Sequence, residues 1–137
     1  MKFTLSRRLL GAWALSVLGL TCAHAQTPSF PTQQIKLIVP YPAGGATDIL
    51  ARMMGQKLSE AWNVPVVVEN KPGAGGTIGN NLVARAAPDG YTVLVAITAI
   101  IQQPPLMNLP YDPLKDFAPI TQIAKSPSMF VVPLNSP

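Results

Sequence analysis

Two glycine-rich segments carry the chemistry that this sequence can offer. Pro40-Tyr41-Pro42-Ala43-Gly44-Gly45 follows one apolar run and precedes Thr47 and Asp48; Asn70-Lys71-Pro72-Gly73-Ala74-Gly75-Gly76 follows another and leads into Thr77. Each sets permissive backbone just before an expected helix start, where unpaired N–H groups and the positive end of the helix dipole coincide. Two such ends beside one crevice favour a carboxylate or similar small anion. The plainer reading of each segment is a strand-to-helix connection whose glycines only permit a tight turn.

Several side chains flank these turns. Asp48 has two readings: a cap or first-turn acid favourable to the helix dipole, or a carboxylate facing the crevice and accepting a hydrogen bond from a ligand hydroxyl, amine or bridging water. Thr47 and Thr77 could donate hydroxyls to a ligand, although capping is the commoner task, and Thr98 points to the same rim from a third strand. Tyr41 is either an aromatic wall of the crevice or a packing partner of the second turn. Arg52 and Arg85 read as solvated helix-face charges.

The elements that must position these residues alternate in type. Ile35 to Val39 is a short apolar strand ended by two prolines and two glycines. An amphipathic helix follows, capped at Thr47 or Asp48, with Ile49, Leu50, Met53, Met54, Leu58, Ala61 and Trp62 at helical spacing. Val64 to Glu69 is β-branched, as in a strand buried on both faces. Thr77 to Ala87 is a second helix with Ile78, Leu82, Val83 and Ala86 on its inner face, and Tyr91 to Ile97 is a third strand. Strand, helix, strand, helix, strand requires an α/β fold, a doubly wound parallel sheet whose ligands bind at the carboxyl edge of the strands. Beyond Thr98 a proline-rich connection with little period leads to two further expected strands, Ile120 to Ala124 and Met129 to Val132.

The first 25 residues read as a separate unit. A basic start through Arg8, an apolar run from Leu9 to Leu20, and Ala23-His24-Ala25 make a secretory signal with cleavage near Ala25/Gln26. The run is too short to span a membrane. Leu20 stands one place too close to Cys22 for a lipoprotein anchor, and only the Arg7-Arg8 pair fits a twin-arginine signal, so the general secretory route and a periplasmic location are expected. The whole chain holds ten Lys and Arg against six Asp and Glu, but Lys2, Arg7 and Arg8 lie in the leader, leaving seven against six. That balance gives no argument for nucleic acid, and no direct membrane insertion is expected after cleavage.

Much is excluded by subtraction. Cys22 and His24, the one cysteine and one histidine, both fall in the leader, so the segment from 26 to 137 offers no thiol or imidazole nucleophile, base or metal ligand. No metal and no cofactor are expected. Gly73-Ala74-Gly75-Gly76-Thr77-Ile78-Gly79 misses the third glycine of a dinucleotide fingerprint, and neither turn ends in the Gly-Lys-Ser/Thr of a P-loop. Asp112 and Asp116, the only close acidic pair, flank a proline-rich loop and read as structural.

Four segments in series resemble the signatures of the Bug family, the extracytoplasmic solute-binding receptors of tripartite tricarboxylate transporters. They are Val39-Pro40-Tyr41-Pro42-Ala43-Gly44-Gly45-Ala46-Thr47-Asp48 with Ala51-Arg52; Val68 through Gly79; Ala87-Pro88-Asp89-Gly90-Tyr91-Thr92; and Leu109-Pro110-Tyr111-Asp112-Pro113 with Asp116-Phe117-Ala118-Pro119-Ile120. The resemblance implies the first lobe of a two-lobed periplasmic-binding-protein fold that closes on a small organic acid, whether a di- or tricarboxylate, an aromatic acid or an amino acid, and serves membrane transporter subunits. It places Pro42, Ala43, Gly44, Gly45 and Asp48 in the first ligand loop, Thr77 at the mouth of the second turn and Thr98 near the third, with a carboxylate held partly through ordered water. Between Thr98 and Met107 the sequence departs from the family pattern, setting Ala99-Ile100-Ile101-Gln102-Gln103-Pro104-Pro105 where small and hydroxyl residues precede an Asn-Pro.

Layer completion points the same way: a parallel sheet that stops after an extended run at Pro137 lacks its next covering layer, so residues 26 to 137 are expected to be a partial amino-terminal lobe. Two rival readings stand beside a non-catalytic binding protein. One is an exported α/β enzyme acting on a small anionic substrate, and the other is a nonfunctional truncated remnant.

Overall fold

In a computed structural model, the described residues are 30–127, 129 and 131–134. The expected leader, with Cys22 and His24, lies outside them. Two compact units are distinguished, residues 1–32 and 33–137, and the second contains the elements described below.

Its sheet has three parallel strands in the order β2-β1-β3, with β1 at Ile35–Val39, β2 at Val66–Asn70 and β3 at Thr92–Leu94. Leu37 stands opposite Val68 on one side and Val93 on the other. As the middle strand, β1 carries the core: Ile35, Leu37, Ile38 and Val39 are at most 2% exposed. Single bonds extend the ladder beyond the strands, from Lys36 N to Tyr91 O at 2.8 Å and from Val95 N to Ile38 O at 2.9 Å.

Helix α1, Ala46–Trp62, joins β1 to β2, and α2, Thr77–Ala84, joins β2 to β3. Ile35, Leu37 and Val39 cluster with Ala51 of α1, whereas the side chain of Pro40, in the alternate register, meets α2 at Gly79. The two helices thus cover opposite faces, and the chain reverses direction across the sheet between β1 and β3. That is the doubly wound arrangement, and its crevice opens at the carboxyl ends of β1 and β3.

Both helices seat on small residues. The expected apolar face of α1 is only partly inward: Ile49, Met53 and Trp62 are 52%, 61% and 41% exposed, while the buried positions are Asp48, Ala51 and Gly55. A Cβ on Gly55 would lie 3.5 Å from Leu37 and Val66, so the helix sits close on the strands and its large side chains splay to the flanks. On α2, Ile78 and Leu82 are likewise exposed, and Gly79 and Asn80 are the buried residues.

Other boundaries differ from expectation. α1 begins at Ala46 with Gly45 as N-cap, so Thr47 and Asp48 lie inside its first turn. β2 starts at Val66 because Pro65 has no N–H to give, although its carbonyl still accepts from Ile35 N at 3.0 Å. α2 stops at Ala84, where Ala86 N turns to Val83 O at 3.0 Å. β3 is three residues long, and the chain after Val95 leaves the sheet for a short helix that the pattern did not predict, α3 at Ala99–Gln102. Residues 120 to 124, and 129, 131 and 132 of the last expected strand, form no ladder. Apolar side chains alone do not make a strand; a hydrogen-bonded neighbour does, and among the described residues these segments have none.

Gly79 shows how tight the α2 seat is. An added Cβ would lie 2.8 Å from both Lys71 O and Pro40 Cβ, so Gly79→Ala forces backbone apart and should destabilise by about 2 kcal/mol. Gly55→Ala meets only ordinary contacts and gains helix propensity of up to about 1 kcal/mol, so it should be neutral or stabilising. Urea unfolding of the two variants checks both signs.

Candidate functional site

The loop from Pro40 to Gly45 leaves β1 at the carboxyl edge and enters α1. Asp48, at the third helical position, is 3% exposed and holds this loop from inside. Its Oδ2 accepts from the Gly44 amide at 2.9 Å and from Arg52 Nε at 3.0 Å, and its Oδ1 accepts from Asn70 Nδ2 at 3.0 Å. Reaching back to a backbone N–H before the helix is the acid's part in a capping box. Asn70, the last residue of β2, also donates to Tyr41 O at 3.1 Å and accepts from Arg52 Nη2 at 3.1 Å.

This resolves the two readings of Asp48 toward support of the loop. The Gly44 amide is engaged by Asp48 at 2.9 Å while Gly44 remains in the first loop. Arg52, expected to be merely solvated, is the partner that compensates the Asp48 charge. Ala46, Thr47 and Asp48 keep the amides for which a helix provides no i−4 acceptor, the first helical bond being Ile49 N to Gly45 O at 3.0 Å.

The second turn crosses the end of β1 to reach the same place. Lys71 N donates to Val39 O at 2.8 Å, directing the chain over the sheet. Gly73, Ala74, Gly75 and Gly76 then all have positive φ, from +47° to +130°, through a 3₁₀ turn at Ala74–Gly76. Gly76 lies under the Tyr41 ring: a Cβ there would be 3.3 Å from the hydroxyl oxygen and 3.4 Å from Cε1. Packing against the second turn is therefore the role the structure gives Tyr41.

Thr77 begins α2 directly after that contact. Its Oγ1 is buried with no hydrogen-bond partner, as is the Tyr41 hydroxyl. The Ile97 amide approaches the Tyr41 oxygen without reaching bonding geometry, and burial pushes its pKa up, an effect which that amide only partly offsets. Thr98 is exposed and precedes α3, where its carbonyl, not its hydroxyl, receives Ile101 N and Gln102 N, at 3.2 and 3.3 Å. Pro42, Ala43 and Gly45 stand exposed on the first loop. The structure thus gathers Tyr41, the 42–45 loop, Asp48 and Thr77 at one edge and sets Thr98 on the adjoining loop.

The acids near this edge are paired: Asp48 with Arg52 at 3.0 Å, and Glu69 with Lys71 Nζ at 3.1 Å and Lys36 Nζ at 3.7 Å. Among the described residues no three His, Cys, Asp or Glu gather to hold a metal ion. A concavity of about 460 Å³ lies apart, lined by Ile101, Pro104, Met107, Leu109, Tyr111 and Leu114 with Asn108, Asp112 and Pro113. None of the candidate ligand-binding residues, Tyr41, Pro42, Ala43, Gly44, Gly45, Asp48, Thr77 and Thr98, lines it. Asp112 and Asp116 accept backbone amides of Leu114 and Asp112 at 2.9 and 2.7 Å, a turn-forming role.

Three polar residues with work to do escaped the sequence reading: Asn70, Gln103 and Asn80. Asn70 had a signal, an amide side chain at a strand end beside the first loop. Asn80, 1% exposed, donates to the Tyr111 hydroxyl at 2.9 Å, and Gln103 donates from Nε2 to Gly75 O at 2.9 Å. Nothing in local spacing announces either contact.

Arg52, the Gly44 amide and Asn70 together hold the Asp48 carboxyl down at about 2, from an ordinary 3.8. A depressed folded-state pKa gives stability that is present above the unfolded value and lost as pH falls through the folded one. Stability should therefore decline as pH drops from about 4 to about 2. Asp48→Asn, which sets an NH₂ among three donors, should melt well below the parent at pH 6, with the gap narrowing toward pH 2; melting curves across that range check it.

Comparison with known proteins agrees with this architecture. Residues 50–137 match the family described as tripartite tricarboxylate transporter family receptor. A protein of Pseudomonas sp. strain P51, named for the tcbD-tcbE intergenic region, is 38% identical over 131 residues, covering 95% of this chain and 39% of its own length. The chain thus spans about two fifths of that curated relative. A structure described as a periplasmic transporter is 46% identical with a TM-score of 0.59, over 64% of this chain and 30% of its own. MatC of Rhodopseudomonas palustris, solved with bound malate, is 36% identical with a TM-score of 0.57, over 66% of this chain and 31% of its own. With the second glycine turn, α3 and the Tyr-Asp-Pro segment all inside the matched span, the chain belongs to the tripartite tricarboxylate transporter receptor family, the Bug family that its motifs resemble.

Proposed function

We propose that this chain supplies the first lobe of an exported, non-catalytic binding protein that captures a small organic carboxylate and delivers it to membrane transporter subunits. One observation carries the reading. Two helix starts, those of α1 and α2, are brought to one sheet edge by the Tyr41–Gly76 contact, beside a rim whose acids, Asp48 and Glu69, are already paired with bases. A carboxylate there gains the helix-end interaction without competing with a fixed counter-ion.

In this reading Pro42, Ala43 and Gly45 shape the first side of the seat with the amides of Ala46 and Thr47. Thr77 and Thr98 offer hydroxyls from the second and third loops. Gly44 and Asp48 support from behind, and Tyr41 spaces the two loops. Residues 1–25 act as the export signal and residues 26–137 as part of the lobe, placing the protein in the periplasm; among the described residues no helix is long and apolar enough to cross a membrane. The malate-bound relative supports a dicarboxylate as the ligand class. Closure of a second lobe would complete the site, ligand favouring the closed state through contacts the open state lacks.

Isothermal titration of the gene's complete product against di- and tricarboxylates, aromatic acids and amino acids should find at least one micromolar ligand, bound with neither metal nor cofactor. Silence across the panel would overturn the assignment. Ala46→Pro, which removes one amide at a position where proline fits the helix geometry, should weaken the best acid about tenfold while leaving the melting temperature nearly unchanged.

A further inference from the structure

We infer that Gln103 is a positioning residue for the carboxylate seat: it fixes the second turn from the far side of the crevice, a role that rests on the carboxylate-binding reading. The turn has little to hold it. Its four residues Gly73 to Gly76 all stand at positive φ, including Ala74 at +47°, a conformation that a residue with a Cβ enters only under outside constraint. Its own backbone hydrogen bonds are short-range ones, Gly76 N to Gly73 O at 2.9 Å and Thr77 N to Ala74 O.

Two outside contacts supply what is missing. Tyr41 covers Gly76 from the first loop, and Gln103 reaches back across 28 residues to bond Gly75 O at 2.9 Å. Gln103 is 92% buried, at 8% exposure, and its Nε2 lies 2.8 Å from where a Gly75 Cβ would be. Ile78, from the start of α2, closes on Gly73, a Cβ there lying 2.6 Å from its Cδ1, so Gln103 is the side chain that reaches this turn from the third rim loop. α3 explains how a residue so far along the chain arrives there: Gln103 N bonds Ala99 O at 3.1 Å, and Gln103 O accepts from Leu106 N and Met107 N at 2.8 and 3.1 Å. Its backbone is thereby fixed on both sides, so the side chain is held at little further entropic cost.

The other end of the amide is buried as well. Gln103 Oε1 is buried without a partner, as are the hydroxyls of Tyr41 and Thr77. These groups come from the third, first and second rim loops and adjoin Gly75, Gly76 and Thr77. Gln103 therefore ties the third rim loop to the second through its bond to Gly75 O.

The test uses the gene's complete product and Gln103→Met, which keeps the length and apolar stem but loses the donor. Hydrogen exchange at the Gly76 amide should rise tenfold or more, while the Val95 amide, bonded to Ile38 in the sheet, stays unchanged. Affinity for the best acid of the panel should fall about tenfold with little change in melting temperature, and Gln102→Met, an exposed neighbour, should do neither. Should Gln103→Met fail to fold, Gln103→Asn, too short to reach Gly75, is expected to act in the same way. Unchanged exchange at Gly76, equal loosening at Val95, or a loosened turn with undiminished affinity would each overturn the inference. If no acid binds the parent protein, the carboxylate reading falls by itself and the exchange comparison still decides whether Gln103 fixes the turn.

Discussion

The arrangement at the sheet edge depends on one buried carboxylate. Asp48 gathers donors from three places, the first loop through Gly44, its own helix through Arg52 and the end of β2 through Asn70. Hydrogen bonds to an ionised acceptor are roughly twice as strong as neutral ones, and each of these would leave a donor unpaired if the acid were lost. Because Asn70 also binds Tyr41 O, the cluster sets where the Tyr41 ring can lie, and that ring in turn sets the height of Gly76. A chain of short contacts thus runs from a buried acid to the turn that opens α2.

Parallel pairing explains why these loops meet at all. In a sheet of order β2-β1-β3 every strand ends on the same side, so each connection to a helix begins at one rim. Helices on opposite faces direct their amino termini toward that rim from both sides. The central strand pays no penalty for its continuous apolar run because both faces are covered, and it is this strand that delivers Pro40 and Tyr41. Small residues at the helix contacts, Ala51, Gly55 and Gly79, allow the two helix starts to sit close above the strand ends.

Much of this was legible in the residues. The β-branched runs, the two proline- and glycine-rich stops and the alternation of strand and helix suffice for a parallel α/β sheet, and two glycine turns at its edge suffice for a candidate seat. Legibility failed where partners are remote. Helical spacing named Ile49, Met53, Ile78 and Leu82 as inward, but spacing cannot tell that the closest approach is made by glycine and alanine, which turn the large side chains outward. Asp48 read equally as cap or ligand contact because its deciding partner, Asn70, is 22 residues away. Gln103 looked like part of an irregular connection because α3 is one turn long and has no periodic signature. The segment around Ile120 read as strand on composition, yet strand formation needs an edge to pair with, which composition does not report.

The balance of charge at the rim bears on what such a seat can discriminate. A fixed arginine facing the ligand would bind any carboxylate strongly and by charge alone. Here Arg52 is already committed to Asp48, and Lys71 to Glu69, so in the proposed seat attraction would come from backbone amides whose directions are fixed by helix geometry. An amide rewards an oxygen only along its own N–H axis; the spacing of the two helix starts therefore matters more than their summed dipole. That spacing is held by Tyr41 on one side and Gln103 on the other, both neutral. Selectivity in a site built this way resides in loop position, which explains why so many of its important residues support the backbone instead of presenting a charge.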